Sequence, residues 1–166
     1  MTYAKLGFAG ALALMAGVAQ ADEFKAYGTT EGWNVYVDTT KNSCFVESVD
    51  AAENVVQMGL TTDRGVGYVG AFTKAETDIK KDETKAVAIL IGDDIFLGDA
   101  TGMRGNITKG YSGGYVLSDD PKFFEDIAKQ YTMTVFPEKE YAFVVNLKGT
   151  YKALEMAQEC NQKLVQ

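Results

Sequence analysis

The 166 residues include no histidine and only two cysteines, Cys44 and Cys160. Without imidazole there is no Ser-His-Asp or Cys-His relay and no histidine-built metal site. Two cysteines make no thiolate cluster and no Cys-x-x-Cys pair, so neither metal ligation nor thiol redox catalysis is expected, and no cofactor is implied. Carboxylates are what remains. Asp93, Asp94 and Asp99, or Asp119 with Asp120, are residue types that serve acid/base chemistry or hold calcium. Adjacent acids in turns are ordinarily solvated turn and cap residues, and the EF-hand spacing is missing. The chain is therefore read as a non-enzyme, with a carboxylate-dependent glycan-cleaving enzyme as the lesser alternative.

Two glycine-bearing stretches invite a binding reading. Gly65-Val66-Gly67-Tyr68-Val69-Gly70 matches the dinucleotide pattern G-x-G-x-x-G, with Asp93 downstream. That pattern works only where glycines follow a strand directly and open a helix whose N-terminus holds pyrophosphate. Here Val66, Tyr68, Val69 and Phe72 continue at strand spacing, so glycines in a twisted hairpin are expected instead. The second stretch is Tyr111-Ser112-Gly113-Gly114-Tyr115. With Tyr68 it offers flat amphipathic rings beside backbone that can be approached closely, the composition of a binding surface. Tyr68, Tyr111, Ser112, Gly113, Gly114 and Tyr115 are the candidate contact residues, against the alternative that the tyrosines finish the rim of the core.

Strands must position these residues. Trp33 to Val37 alternates at period two, and Cys44-Phe45-Val46 starts the return after a polar turn. Val55–Leu60 and Val66–Phe72 read as a hairpin, and Ala86–Ile91 and Ile95–Ala100 flank the turn Gly92-Asp93-Asp94. Tyr115–Leu117 follows a glycine-rich stretch. Asp120 and Pro121 start a helix, with Phe124, Ile127, Ala128 and Tyr131 on one face. Thr132–Phe136 and Tyr141–Leu147 form a hairpin around Pro137. A last helix runs from Thr150 to about Leu164 with Tyr151, Leu154, Ala157, Cys160 and Leu164 on one stripe. The expected fold is β-rich (α+β): an antiparallel β-sandwich or barrel of about eight or nine short strands, with two helices near the C-terminus.

Residues 1–21 have the order of a cleaved signal peptide: Lys5, an uncharged apolar run from Leu6 to Val18, and Ala19-Gln20-Ala21 before Asp22. The apolar run is too short to span a bilayer, and no later stretch is long enough, so no membrane span is expected after cleavage. Residues 22–166 then form a single domain, periplasmic or secreted. In that compartment Cys44 and Cys160 are expected to form one disulfide. The net charge of −7 disfavours nucleic acid as a partner.

Gly32-Trp33-Asn34-Val35, Cys44, Leu147-Lys148-Gly149 and Ala153-Leu154 together resemble the bacterial invasion-associated locus B family of periplasmic proteins. The resemblance covers about a third of the chain. It implies an exported β-sandwich without known catalytic residues, associated with the cell envelope and in some pathogens with host contact. Val37 stands where such proteins often carry a cysteine. A second likeness, of Thr108-Lys109-Gly110 and Ser112-Gly113-Gly114-Tyr115 to periplasmic lysozyme inhibitors, differs in order and spacing. Either way the expected partner is a protein or an envelope component.

Overall fold

The computed structural model describes residues 24–60, 65–104 and 110–165. The expected signal peptide, and Thr108 with Lys109, lie outside them. The described residues fold into ten antiparallel strands and two helices. The strands are β1 (Phe24–Thr30), β2 (Trp33–Asp38), β3 (Ser43–Val49), β4 (Val55–Leu60), β5 (Gly67–Thr73), β6 (Thr84–Ile91), β7 (Asp94–Arg104), β8 (Ser112–Ser118), β9 (Thr132–Val135) and β10 (Phe143–Asn146). Helix α1 (Pro121–Lys129) lies between β8 and β9, and α2 (Thr150–Leu164) follows β10. All belong to one sheet in the order β1-β2-β3-β4-β5-β8-β7-β6-β9-β10. The sheet does not close, so the architecture is sandwich-like rather than a barrel.

The period-two pattern sorts side chains onto two faces. Val35, Val46, Met58, Val69, Ile89, Ile91, Met133 and Val135 point to one core, which Trp33 and the apolar stripes of both helices complete. The expected strands are all present. Strand β1 is an addition, and its residues explain why it escapes pattern reading. It is an edge strand whose side chains are mostly exposed, and its register shifts between Ala26 and Gly28. No apolar alternation marks it.

The helices begin as their sequences require but face inward by slightly different residues. Asp120 caps α1 by accepting from the Lys122 N–H, with Pro121 at the first position. The buried residues of α1 are Phe123 and Ile127, whereas Tyr131 lies past the helix end and is exposed. Phe124 is half-buried because its ring seats against Gly67, where a Cβ would lie 2.1 Å from the ring edge. On α2 the inward stripe is Thr150, Ala153, Ala157, Cys160 and Asn161, with Tyr151 in solvent and Leu154 at the margin.

Cys160 meets Cys44 in a disulfide with Cα atoms 6.0 Å apart. One residue on, the buried Asn161 Oδ1 accepts the Cys44 N–H at 2.9 Å. Covalent bond and hydrogen bond together fasten α2 across β3. The described residues contain no helix long and apolar enough to cross a membrane.

Candidate functional site

The face of the sheet opposite the core carries the tyrosines, and the register explains their arrangement. In one cross-strand row Asn34, Glu47, Gln57, Gly70, Tyr115 and Thr101 stand side by side from β2 to β7. Gly70 leaves a gap in that row, and the Tyr115 ring lies across it: a Cβ there would be 2.4 Å from the ring. The ring thereby reaches two strands over, where its OH donates to Gln57 Oε1 at 2.8 Å. Gln57 Nε2 in turn donates to Glu47 Oε2 at 2.8 Å. The next row runs Tyr36, Phe45, Gly59, Tyr68, Leu117. Here Tyr68 lies over Gly59, whose Cβ would meet the Tyr68 oxygen at 2.7 Å. A third row pairs Phe72 with Gly113, again ring over glycine.

These rings touch one another as well. Tyr115 makes edge-to-face contacts with Tyr68 and Phe72, at centroid distances of 5.5 and 5.2 Å, and Tyr36 stacks on Phe45. Burial is deep: Tyr68 is 9 % exposed and Phe45 and Phe72 are each 2 % exposed, while Tyr36 and Tyr115 are half-buried. Burial raises the Tyr68 hydroxyl above its ordinary pKa, with Tyr115 and Asp38 adding to the effect. Tyr36 is raised in the same way, with the Glu47 carboxylate as the second cause.

Of the candidate contact residues the structure brings Tyr68 and Tyr115 into contact and places Gly113 on the same face, under Phe72. Gly114 and Ser112 belong to the same strand but alternate onto the core side, and both are buried. Tyr111 lies just before β8, half-buried, with the Lys74 ammonium 5.2 Å from its ring centroid. Lys74 also donates to Glu53 Oε1.

The same face holds residues that the tyrosine pattern did not point to. Leu117 continues the row of Tyr68 and is 58 % exposed, and beyond it Leu97 and Ile95 on β7 are 82 % and 66 % exposed. Ile95, Leu90, Thr134 and Val144 form a further row across β7, β6, β9 and β10. The signal for this was the uninterrupted run Ile95-Phe96-Leu97. Three apolar residues in a row on an antiparallel strand must place apolar groups on both faces.

Two glycines of the G-x-G-x-x-G stretch make room for rings, one on each face of the sheet. Gly67 and Gly70 sit within β5, under Phe124 and Tyr115 respectively, so no helix follows the motif directly. Of the carboxylates, Asp94 pairs with Lys122 at 2.8 Å and Asp120 caps α1. Among the described residues there is no group of three or more acidic or cysteine side chains placed to hold a metal ion.

The segments that carried the family resemblance converge at another place. The Trp33 indole N–H donates to the Lys148 carbonyl oxygen at 3.0 Å. Gly149, at φ +84°, packs against Glu31, where a Cβ would come within 2.4 Å, and Glu31 pairs with Lys152 on α2. Comparison of the chain with protein-family models, with curated proteins and with solved structures finds no significant match.

Proposed function

We propose that this chain is an exported, non-enzymatic protein that binds a macromolecular partner or an envelope component through the outer face of its sheet. The observation that carries the reading is what that face exposes. Tyr68 stands in register with the exposed Leu117, and the exposed Leu97 and Ile95 follow on β7 past Asp99. Scattered apolar residues are normal on a surface, but neighbouring exposed leucines beside aromatic rings mark a contact site. The tyrosines supply a rigid platform and the leucines the area to be buried. The disulfide fits an oxidising compartment, which agrees with the leader-like sequence of residues 1–21.

Membership in the invasion-associated locus B family is part of this proposal. The contact of Trp33 with Lys148 supports it, because the two segments quoted for the likeness form one junction. Host contact would then be one setting for the binding.

Capture from a periplasmic extract of the native host, with residues 22–166 as bait, tests the reading. Leu97→Lys with Leu117→Lys should abolish capture of any specific partner while leaving the melting temperature within a few degrees. Retention of the same partner by the double variant would place binding elsewhere. Glycan cleavage by the purified protein, lost on replacing Asp93, Asp94 or Asp99, would favour the enzyme alternative.

A further inference from the structure

Among the described residues, strand β10 ends the sheet order and its ladder is made on one side only, to β9. The hydrogen bonds around it fix which groups face outward. Leu147 donates its N–H to the Tyr131 carbonyl, and Gly92 donates to the Thr132 carbonyl. By alternation Val145 and Phe143 then turn their backbone groups toward β9, as Met133 and Val135 do toward β10. Val144 and Asn146 therefore point their N–H and C=O groups to the open side.

A cavity of about 320 Å³ adjoins that open edge. One wall is Phe143, Val145 and Asn146. The other consists of Trp33 and the hairpin ends of β3 and β4, including Ser48 and Val56. Its volume falls at the low end of the range for ligand pockets. Polar side chains at its rim are largely occupied already. Asp50 accepts from the N–H groups of Ala52 and Asn54 and from Asn54 Nδ2, and Glu31 pairs with Lys152. The outward main-chain groups of β10 alternate along the strand beside a lining that mixes Phe143 and Val49 with Ser48, Asn146 and Lys148.

We propose that the open edge of β10 is a strand-addition site, which takes a short extended segment of a partner polypeptide into this cavity. Main-chain bonds to Val144 and Asn146 hold the segment, and its alternate apolar side chains enter the cavity beside the half-buried Phe143 and the exposed Val49. The four residues of β10 match a segment about 13 Å long. The other edge is less suited, since β1 carries a register shift and Met156 of α2 lies against its Gly28. The site is on a strand edge and stands or falls independently of the outer-face reading.

The probe is the capped peptide acetyl-Val-Thr-Val-Thr-Val-amide, titrated into isotope-labelled protein comprising residues 22–166. Saturable shifts should centre on the amides of Val144 and Asn146. Methylating the peptide nitrogens that face the protein should weaken binding on the order of tenfold or more, as loss of even one main-chain bond does. Val144→Pro should do the same, because its N–H serves no bond to β9 and edge strands tolerate proline. Should Val144→Pro lower the melting temperature, Ser48→Tyr fills the cavity from the opposite wall and must weaken binding instead. Equal binding of methylated and unmethylated peptides would overturn strand addition in favour of side-chain capture. Absence of saturable shifts at Val144 and Asn146 would overturn it outright.

Discussion

Tyr68, Tyr115 and Phe72 each lean over a glycine on a neighbouring strand, so residues that look like separate motifs act in pairs. Tyr115 depends on Gly70 being bare, and Gln57, 3 % exposed, depends on the Tyr115 hydroxyl for one of its bonds. Tyr115→Phe should therefore lower stability by about 1–2 kcal/mol, read from the urea midpoint, because it leaves a buried amide oxygen short of a donor. Gly70→Ala should cost about 1–3 kcal/mol, since the new methyl displaces the ring. Tyr68 makes a different prediction. Burial raises its pKa above the ordinary value of 10.0, so the native state holds its proton more tightly than the unfolded chain. Stability from this group is complete below that ordinary value and declines as pH rises beyond it. Tyr68→Phe should make the fall in urea midpoint at alkaline pH shallower, whereas an unchanged slope would assign that fall to other groups.

At the scale of elements, α2 is held by two neighbouring residues, Cys160 through the disulfide and Asn161 through the Cys44 amide. The crosslink spans a sequence separation of 116 residues. A loop of that size is worth roughly 4–5 kcal/mol in the chain-entropy account. Reduction, or Cys160→Ser, should lower the melting temperature by several degrees, and Asn161→Ala should add a further loss of about 1–3 kcal/mol by stranding a buried N–H. A melting curve unmoved by reductant would show that packing of Ala153 and Ala157 alone secures the helix. The N-cap of α1 is a smaller matter: Asp120→Ala should cost about 1 kcal/mol.

Among the described residues, an open ten-stranded sheet folds around the two helices, and it presents three kinds of surface: a packed aromatic region, exposed aliphatic residues on the same face, and an edge at β10 that pairs only with β9. The proposed function rests on export, which intact mass tests. Intact mass of the protein recovered from its host should correspond to residues 22–166, less two hydrogens for the disulfide. A mass that retains residues 1–21 would refute cleavage at Ala21, and recovery with the cytosol would refute export.

Local rules were enough to read much of this from the chain. Period-two alternation located nine of the ten strands, Asp120-Pro121 announced α1, and the cysteine count in a chain with a leader-like start predicted the pairing of Cys44 with Cys160. The tyrosine-glycine composition singled out Tyr68 and Tyr115, whose rings meet, and Gly113, which lies under Phe72 on the same face. What the rings rest on was not legible, because Gly59 and Gly70 acquire their meaning only from the register that sets them beside Tyr68 and Tyr115. Composition also could not separate Tyr111 from the pair, since adjacency in sequence says nothing of the strand end at which a residue falls. Nor could alternation tell which apolar face of β7 meets solvent; covering Phe96 and exposing Leu97 is settled by where α1 packs. Edges are likewise a property of strand order, and the order β6-β9-β10, which among the described residues leaves the outer side of Val144 and Asn146 without a partner strand, arises from contacts far apart in the chain.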